Sequence, residues 1–247
     1  MSVCDYEVFD RVGLITMNRP DTLNALNWEL IEALEEAVTK AADDEATRVV
    51  VITGAGRGFC SGGDVTGGAP PPGATTNREQ RAFPEAVRLL HAMPKPTIAM
   101  INGPVAGAGI GVAGACDLRF AAESATFLTA FARWGLAGDY GATYFWTKNV
   151  GVAKARELFM MNEKLDAKTA KEYDIFTRVF PDAQLREKTF EIANGMARTA
   201  ASGWKLMKSS LVAAEYVELE KALALEQTNM NLSSRARAEK RASDGKA

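Results

Sequence analysis

Two apolar runs, each passing into a loop of small residues, together with helical spacing between them, predict an α/β protein. Residues 49–52 (Val49, Val50, Val51 and Ile52) and 96–101 read as continuous apolar strands of a sheet covered on both faces. The loops that follow, 58–64 and 102–111, are rich in glycine, alanine and serine. Trp28, Ile31, Leu34, Ala37 and Val38 recur at the spacing of one helix face. Strands alternating with helices define the class.

The elements follow in order. Tyr6 and Val8, then Val12, Leu14, Ile15 and Met17, flank Asp10-Arg11-Val12-Gly13 and predict a hairpin. Asn27 is placed to cap a helix running to about residue 42. Residues 66–77 (two glycines, then Ala-Pro-Pro-Pro-Gly) cannot continue a helix and read as a mobile loop. Helical spacing returns over 79–93, interrupted by Pro84. After the 96–101 strand comes another at 118–121, then helices at 141–150, 152–161 and 166–173. Residues 183–199 and 204–231 read as wholly helical. We expect two regions, a core over 1–190 and a helical region over 191–247.

A chain of 247 residues with 47% hydrophobic content can bury a large core, and its net charge of −2 gives no reason to expect nucleic acid as a partner. No apolar run is long enough to span a bilayer, and the start lacks the pattern of a secretory signal. Cys4, Cys60 and Cys116 are odd in number and widely spaced, which speaks for a reducing, cytoplasmic location and against a zinc pattern. No dinucleotide fingerprint or metal cluster is visible, so no metal and no permanently bound cofactor is expected.

The two small-residue loops carry the functional signal. Backbone N–H groups at a helix start lack intrahelical partners and can face developing negative charge. Small side chains let a ligand approach them. The pair Gly58-Phe59-Cys60-Ser61-Gly62-Gly63-Asp64 and Asn102-Gly103-Pro104-Val105-Ala106-Gly107-Ala108-Gly109 therefore suggests an oxyanion hole with two N–H donors.

Together with Asn18-Arg19-Pro20, Leu23-Asn24-Ala25-Leu26 and Gly114-Ala115-Cys116-Asp117-Leu118-Arg119, these loops resemble the crotonase, or enoyl-CoA hydratase/isomerase, superfamily over nearly the whole chain. The resemblance implies a spiral of strand-strand-helix units with a C-terminal helical trimerisation region, and a homotrimer or hexamer. It also implies an acyl-CoA thioester as partner, whose enolate the two N–H groups stabilise, with coenzyme A arriving as part of the substrate. Matched to the family motifs, the donors are Ser61 and Ala108. Asn24, Ala25 and Leu26 match the adenine-side strip, with Gly107 also on the coenzyme A side and Arg57, Lys205 and Lys208 as candidate charges; solvated surface charge explains those three equally well.

The acid/base group decides the reaction. Family hydratases use two glutamates, and the matching positions here hold Gly111 and Phe131, neither of which moves a proton. Asp139, in Gly135-Leu136-Ala137-Gly138-Asp139-Tyr140-Gly141, matches instead the single catalytic aspartate of some Δ3,Δ2-enoyl-CoA isomerases, and we expect it partly desolvated by Phe131. It is equally placed to cap the following helix. Phe131, Trp134 and Tyr140 are read as pocket wall or core. Family aryl-CoA dehalogenases carry a tryptophan where Phe131 stands and a histidine near Pro84, both missing here, and His91 receives no role. Glu79 and Glu85 flank the mobile loop as alternative acids. Isomerisation is the expected reaction. Hydration or a ring-opening or retro-aldol reaction, with Asp139 acting on water, is the alternative within the family; a non-catalytic coenzyme A-binding paralogue is the alternative outside it.

Overall fold

The computed structural model describes residues 2–64, 85–199 and 201–244. The opening hairpin forms as expected. β1 (Cys4–Phe9) pairs antiparallel with β2 (Val12–Met17) in a register that sets Phe9 opposite Val12. The two turn residues, Asp10 and Arg11, have φ of 50° and 80°, the left-handed pair that a two-residue hairpin requires. Asn27 accepts from the Leu30 N–H at 2.9 Å and so caps α1 (Trp28–Asp43), which lays Leu30, Leu34, Ala37, Val38 and Ala41 into the core.

β2 continues in parallel into β3 (Val49–Gly54), β4 (Thr97–Ile101), β6 (Leu118–Ala122) and β9 (Arg178–Phe180), giving a sheet of order β1-β2-β3-β4-β6-β9. Every residue of β3 and β4 is buried, as their unbroken apolar sequence demands. A second, shorter layer holds β5 (Val105–Ala106), β7 (Thr126–Leu128) and β8 (Leu165–Asp166). Single parallel bridges, Cys60 to Val105 and Leu26 to Gly63, extend that layer backwards along the chain. Successive units thus place one strand in the large sheet, one short extended segment in the small layer, and then a helix. That repeat is a spiral, and it lines up residues 26, 60–63 and 105–108 at one junction.

The helices after α1 are α2 (Glu85–Ala92), α3 (Ala108–Gly114), α4 (Ala142–Val150), α5 (Val152–Met161) and α6 (Ala167–Glu172). They are followed by α7 (Leu185–Ala197), α8 (Ala201–Ala214) and α9 (Leu219–Asp244). The continuous helix expected over 204–231 is interrupted: the chain turns between Ala214 and Leu219, and α9 folds back on α8. Residue 190 falls inside α7, which lies across β2, β3, β4, β6 and β9, so α7 packs as part of the core. The expected loop over 66–77 and Glu79 lie outside the described residues. Among the described residues no helix is long and apolar enough to cross a membrane.

Candidate active site

The two small-residue loops meet. The Ala106 N–H donates to the Cys60 carbonyl at 2.9 Å, and Gly62, at φ 108°, comes so close that a Cβ on it would lie 3.2 Å from the Ala106 carbonyl oxygen and 3.5 Å from the Ala108 nitrogen. Only glycine combines that backbone conformation with that approach. Beside it, a Cβ on Gly63 would meet no atom of the described residues within 4 Å.

The hydrogen bonds at this junction reassign one donor. The Ser61 N–H is spent on the Leu23 carbonyl at 3.0 Å, and the Ser61 hydroxyl donates to Thr22 O at 3.0 Å. Ser61 therefore has no N–H to offer a substrate, which corrects the expectation that it is a donor. The Gly62 N–H turns inward to the buried Cys60 sulfur, whose thiol burial pushes up to about 12. Gly63 is different. Its neighbours are tied down, Leu26 N–H to Gly62 O at 2.8 Å and Asp64 N–H to Leu26 O at 3.0 Å, and its own N–H has no partner among the described residues. The Ala108 N–H, at the first position of α3, is likewise without a partner among the described residues. Within the loop that the sequence pattern singles out, the bond register leaves the Gly63 N–H, and not that of Ser61, open among the described residues.

The coenzyme A candidates separate. Asn24 is fully buried, with φ 57°; its side chain accepts from Arg19 N–H at 2.8 Å and donates to Ala55 O at 3.0 Å and Gly58 O at 2.8 Å. It fastens the residue 19–26 turn to the loop after β3, so its side chain is a structural latch and not a ligand contact. Ala25 and Leu26 are buried as well, with the Ala25 carbonyl held by Arg19 at 2.5 Å. Gly107 gives its N–H to Leu128 O at 3.3 Å and closes against Gly62. Lys208 is withdrawn too: buried, it donates to Leu90 O and Lys95 O at 3.0 Å each and to Asp117 Oδ2 at 2.8 Å. That clamp joins α8 to the core. Arg57 and Lys205 are exposed. Asp64 pairs with Arg19 at 2.9 Å, and Glu85 with Arg88 inside α2, where the guanidinium holds the Glu85 carboxyl below the usual range.

Around the acid/base positions, Gly111 and Phe131 have physical reasons for their identities. A Cβ on Gly111 would fall 2.3 Å from the Tyr140 carbonyl oxygen, so any side chain there collides with backbone. Phe131 is buried in the main core and stacks on Phe159 at 6.2 Å and 4°. It packs as core. Tyr140 is buried, and burial raises its phenol far above the ordinary value. Trp134, by contrast, is 65% exposed at the end of a short 3-10 turn. Asp139 is exposed, which corrects the expectation that Phe131 desolvates it. Its Oδ1 accepts from the Tyr140 N–H at 2.6 Å, and its carbonyl from the Ala142 N–H at 2.9 Å, while no side-chain cap bond closes the start of α4. The carboxylate is thus turned to its immediate neighbour, not to the helix it precedes.

A separate cavity of about 400 Å³ lies between α8 and the core, lined by His91, Cys116, Phe145, Trp204, Lys208 and Glu215 among others. It adjoins Gly114, the end of α3 remote from Ala108.

Comparison with known proteins decides the family. The model of the enoyl-CoA hydratase/isomerase family matches residues 7–244. The chain belongs to that family. It is 34% identical over 232 residues to a 1,2-epoxyphenylacetyl-CoA isomerase of Escherichia coli (strain K12), a match covering 91% of this chain and 87% of the relative. It is 32% identical over 221 residues to a probable enoyl-CoA hydratase of Rhodobacter capsulatus, covering 90% and 85%. Among solved structures, a putative enoyl-CoA hydratase from Thermobifida fusca in complex with CoA superposes with a TM-score of 0.87 at 25% identity, covering 96% of this chain and 95% of that one. The spiral is accordingly the crotonase fold, and the chain is an enzyme of the hydratase/isomerase type.

Proposed function

We propose that this member of the family is a Δ3,Δ2-enoyl-CoA isomerase that works with one carboxylate, Asp139. The observation that carries the reading is the pair of positions flanking the site. Gly111 has no room for a side chain and Phe131 is core, so neither hydratase carboxylate has a place, whereas Asp139 presents an exposed carboxylate from the loop packed on α3. In this reading the thioester carbonyl of a 3-enoyl-CoA sits over Gly63 and accepts from the Gly63 and Ala108 N–H groups. Asp139 removes a proton from C2, the charge spreads to the carbonyl oxygen as an enolate, and the same carboxyl returns the proton at C4. One group suffices because the proton leaves and returns on one conjugated system. Coenzyme A enters and leaves with the substrate, Arg57 and Lys205 being the exposed cations left to meet its phosphates.

Hydration by Asp139 acting on water is a second reading, favoured by the exposure of that carboxylate. The two part in one cuvette. An isomerase given a 3-enoyl-CoA raises the absorbance of the conjugated thioester, and a hydratase given a 2-enoyl-CoA lowers it. Asp139→Asn, unable to accept a proton, should lose isomerisation by at least about 10²-fold while still binding coenzyme A. Near-native turnover by that variant would remove Asp139 from the reaction.

We further propose a homotrimer, or a pair of trimers, in a reducing cytoplasmic setting. Met207, Leu211, Leu219 and Leu223 of α8 and α9 are more than half exposed, more apolar surface than a lone terminal hairpin leaves to water. The three buried thiols are all free. Light scattering that gave a monomer mass at micromolar concentration would refute the assembly.

A further inference from the structure

Gly111 and Ala108 lie three residues apart on α3, and so on one face of it. Ala108 offers an N–H without a partner among the described residues at the start of that helix; one turn on, Gly111 receives the backbone of Tyr140. The contact is close and rigid. A Cβ on Gly111 would be 2.3 Å from Tyr140 O, 2.7 Å from Tyr140 Cβ and 2.9 Å from its carbonyl carbon. Tyr140 keeps φ at 53° although it is not glycine, and the residue is 8% exposed. Such a conformation costs on the order of 1 kcal/mol and persists only where the surroundings hold it. The holding is visible: the Trp146 Nε1–H donates to Ile110 O at 3.0 Å, tying α4 to α3 on the far side of the loop, while Gly138 (φ 120°) and Gly141 (φ 66°) supply the bends on either side of Asp139 and Tyr140. The residue so fixed is bonded directly to Asp139, and its N–H binds the Asp139 carboxylate at 2.6 Å.

We infer that the Gly111–Tyr140 contact is a positioning element: it sets the Asp139 carboxylate at a fixed place relative to the Ala108 N–H, with α3 as the common frame. The inference rests on the isomerase reading above for what the placement achieves. Tyr140 and Gly111 are positioning residues in this account and touch no substrate. The same contact makes a carboxylate at position 111 and a seated Asp139 mutually exclusive, so that Gly111→Glu unseats the aspartate without adding a hydratase.

Gly111→Ala tests it. In a crystal structure of the variant, residues 138–141 should be displaced while residues 104–110 stay in place. On a 3-enoyl-CoA, kcat should fall by about 10²-fold, the size of effect that a misplacement of roughly 1 Å produces, with KM within about twofold of the parent. If the loop stays where it is, or if kcat is unchanged, the inference is overturned. A fall in kcat accompanied by loss of α3 order overturns it as well, because the contact would then serve folding alone. Should Gly111→Ala fail to fold, Tyr140→Gly releases the contact from the other side: it removes the buried ring, relieves the positive φ, and should give the same split of kcat from KM, native kcat being the contrary result. The isomerase reading fails by a different measurement, namely native turnover in Asp139→Asn, and the displacement seen in the Gly111→Ala crystal does not depend on it.

Discussion

The two ends of α3 handle polar groups in opposite ways. At its start the Ala108 N–H is left without a partner among the described residues, and so is that of Gly63 across the junction, with none of those residues lying over Gly63. Past its other end the buried lysine and the carboxylate it meets are both claimed. Lys208 Nζ meets two carbonyls and the Asp117 carboxylate, and Asp117 Oδ2 also takes the Thr97 N–H at 2.7 Å and the Thr97 hydroxyl at 2.9 Å. Protein interiors rarely leave backbone N–H groups unpaired, because the unmade bond costs about 1–3 kcal/mol. Open backbone N–H groups at one end and a lysine held by two carbonyls and a carboxylate at the other separate the place we propose to receive charge from a place that holds helices together. Charge alone misleads here: the lysine that is a candidate phosphate ligand in the sequence is the clamp, and uncharged glycine and alanine backbone is what we propose as the receptor.

The comparison breaks first at the open end. Ala108→Pro removes the proposed donor at the first position of α3, where proline is otherwise well tolerated. Turnover should fall by roughly 10²–10³-fold, about 2.7–4 kcal/mol in the barrier, while the far-ultraviolet circular dichroism and the affinity for free coenzyme A change little. A folded Ala108→Pro enzyme with native turnover would show that the deficit at this end is incidental. The saturated end predicts the reverse pattern. Lys208→Met leaves the Leu90 and Lys95 carbonyls and the Asp117 carboxylate short of a donor, and should cost about 2–3 kcal/mol of stability in denaturant titrations. Turnover of the folded fraction should stay near native. A drop in coenzyme A affinity with stability intact would return Lys208 to the ligand site.

How much of this was legible depends on what each feature is made of. The hairpin, the Asn27 cap and the two buried strands were readable because each rests on local pattern: a two-residue turn, a capping side chain, an unbroken apolar run. β5, β8 and β9 were not, since strands of two or three residues show no period and form only when the layer beside them exists. The turn between α8 and α9, residues 215–218, holds Glu, Tyr, Val and Glu, with no glycine or proline to announce it; α9 ends its neighbour by folding back on it. In the site, Asp139 and Gly111 could be named by matching motifs, but the reason for Gly111 lies in a backbone that arrives from 29 positions later in the chain. The side-chain partners of Asn24 and Lys208 were not legible for a common cause: a polar side chain in sequence does not reveal whether its partners are solvent, ligand or buried carbonyls.

The finest test sits inside the first loop. Ser61 and Gly63 are two residues apart, and in regular extended chain their N–H groups would face the same way; Gly62, at φ 108°, breaks that alternation between them. In the structure the Ser61 N–H belongs to Leu23 O and its hydroxyl to Thr22 O, both at 3.0 Å, which makes Ser61 a stitch between the loop and the turn before α1. Ser61→Ala keeps the N–H bond and gives up only the hydroxyl bond, a part-exposed one, worth about 0.5–1 kcal/mol. Stability should drop by no more than that, kcat should stay within about twofold, and KM should not move. Gly63→Pro, which deletes the N–H left free, should instead depress turnover on the scale of Ala108→Pro if the loop still closes. A tenfold loss of kcat in Ser61→Ala would reverse the order, placing the hydroxyl of Ser61 in the reaction and making the free N–H of Gly63 a by-product of the turn.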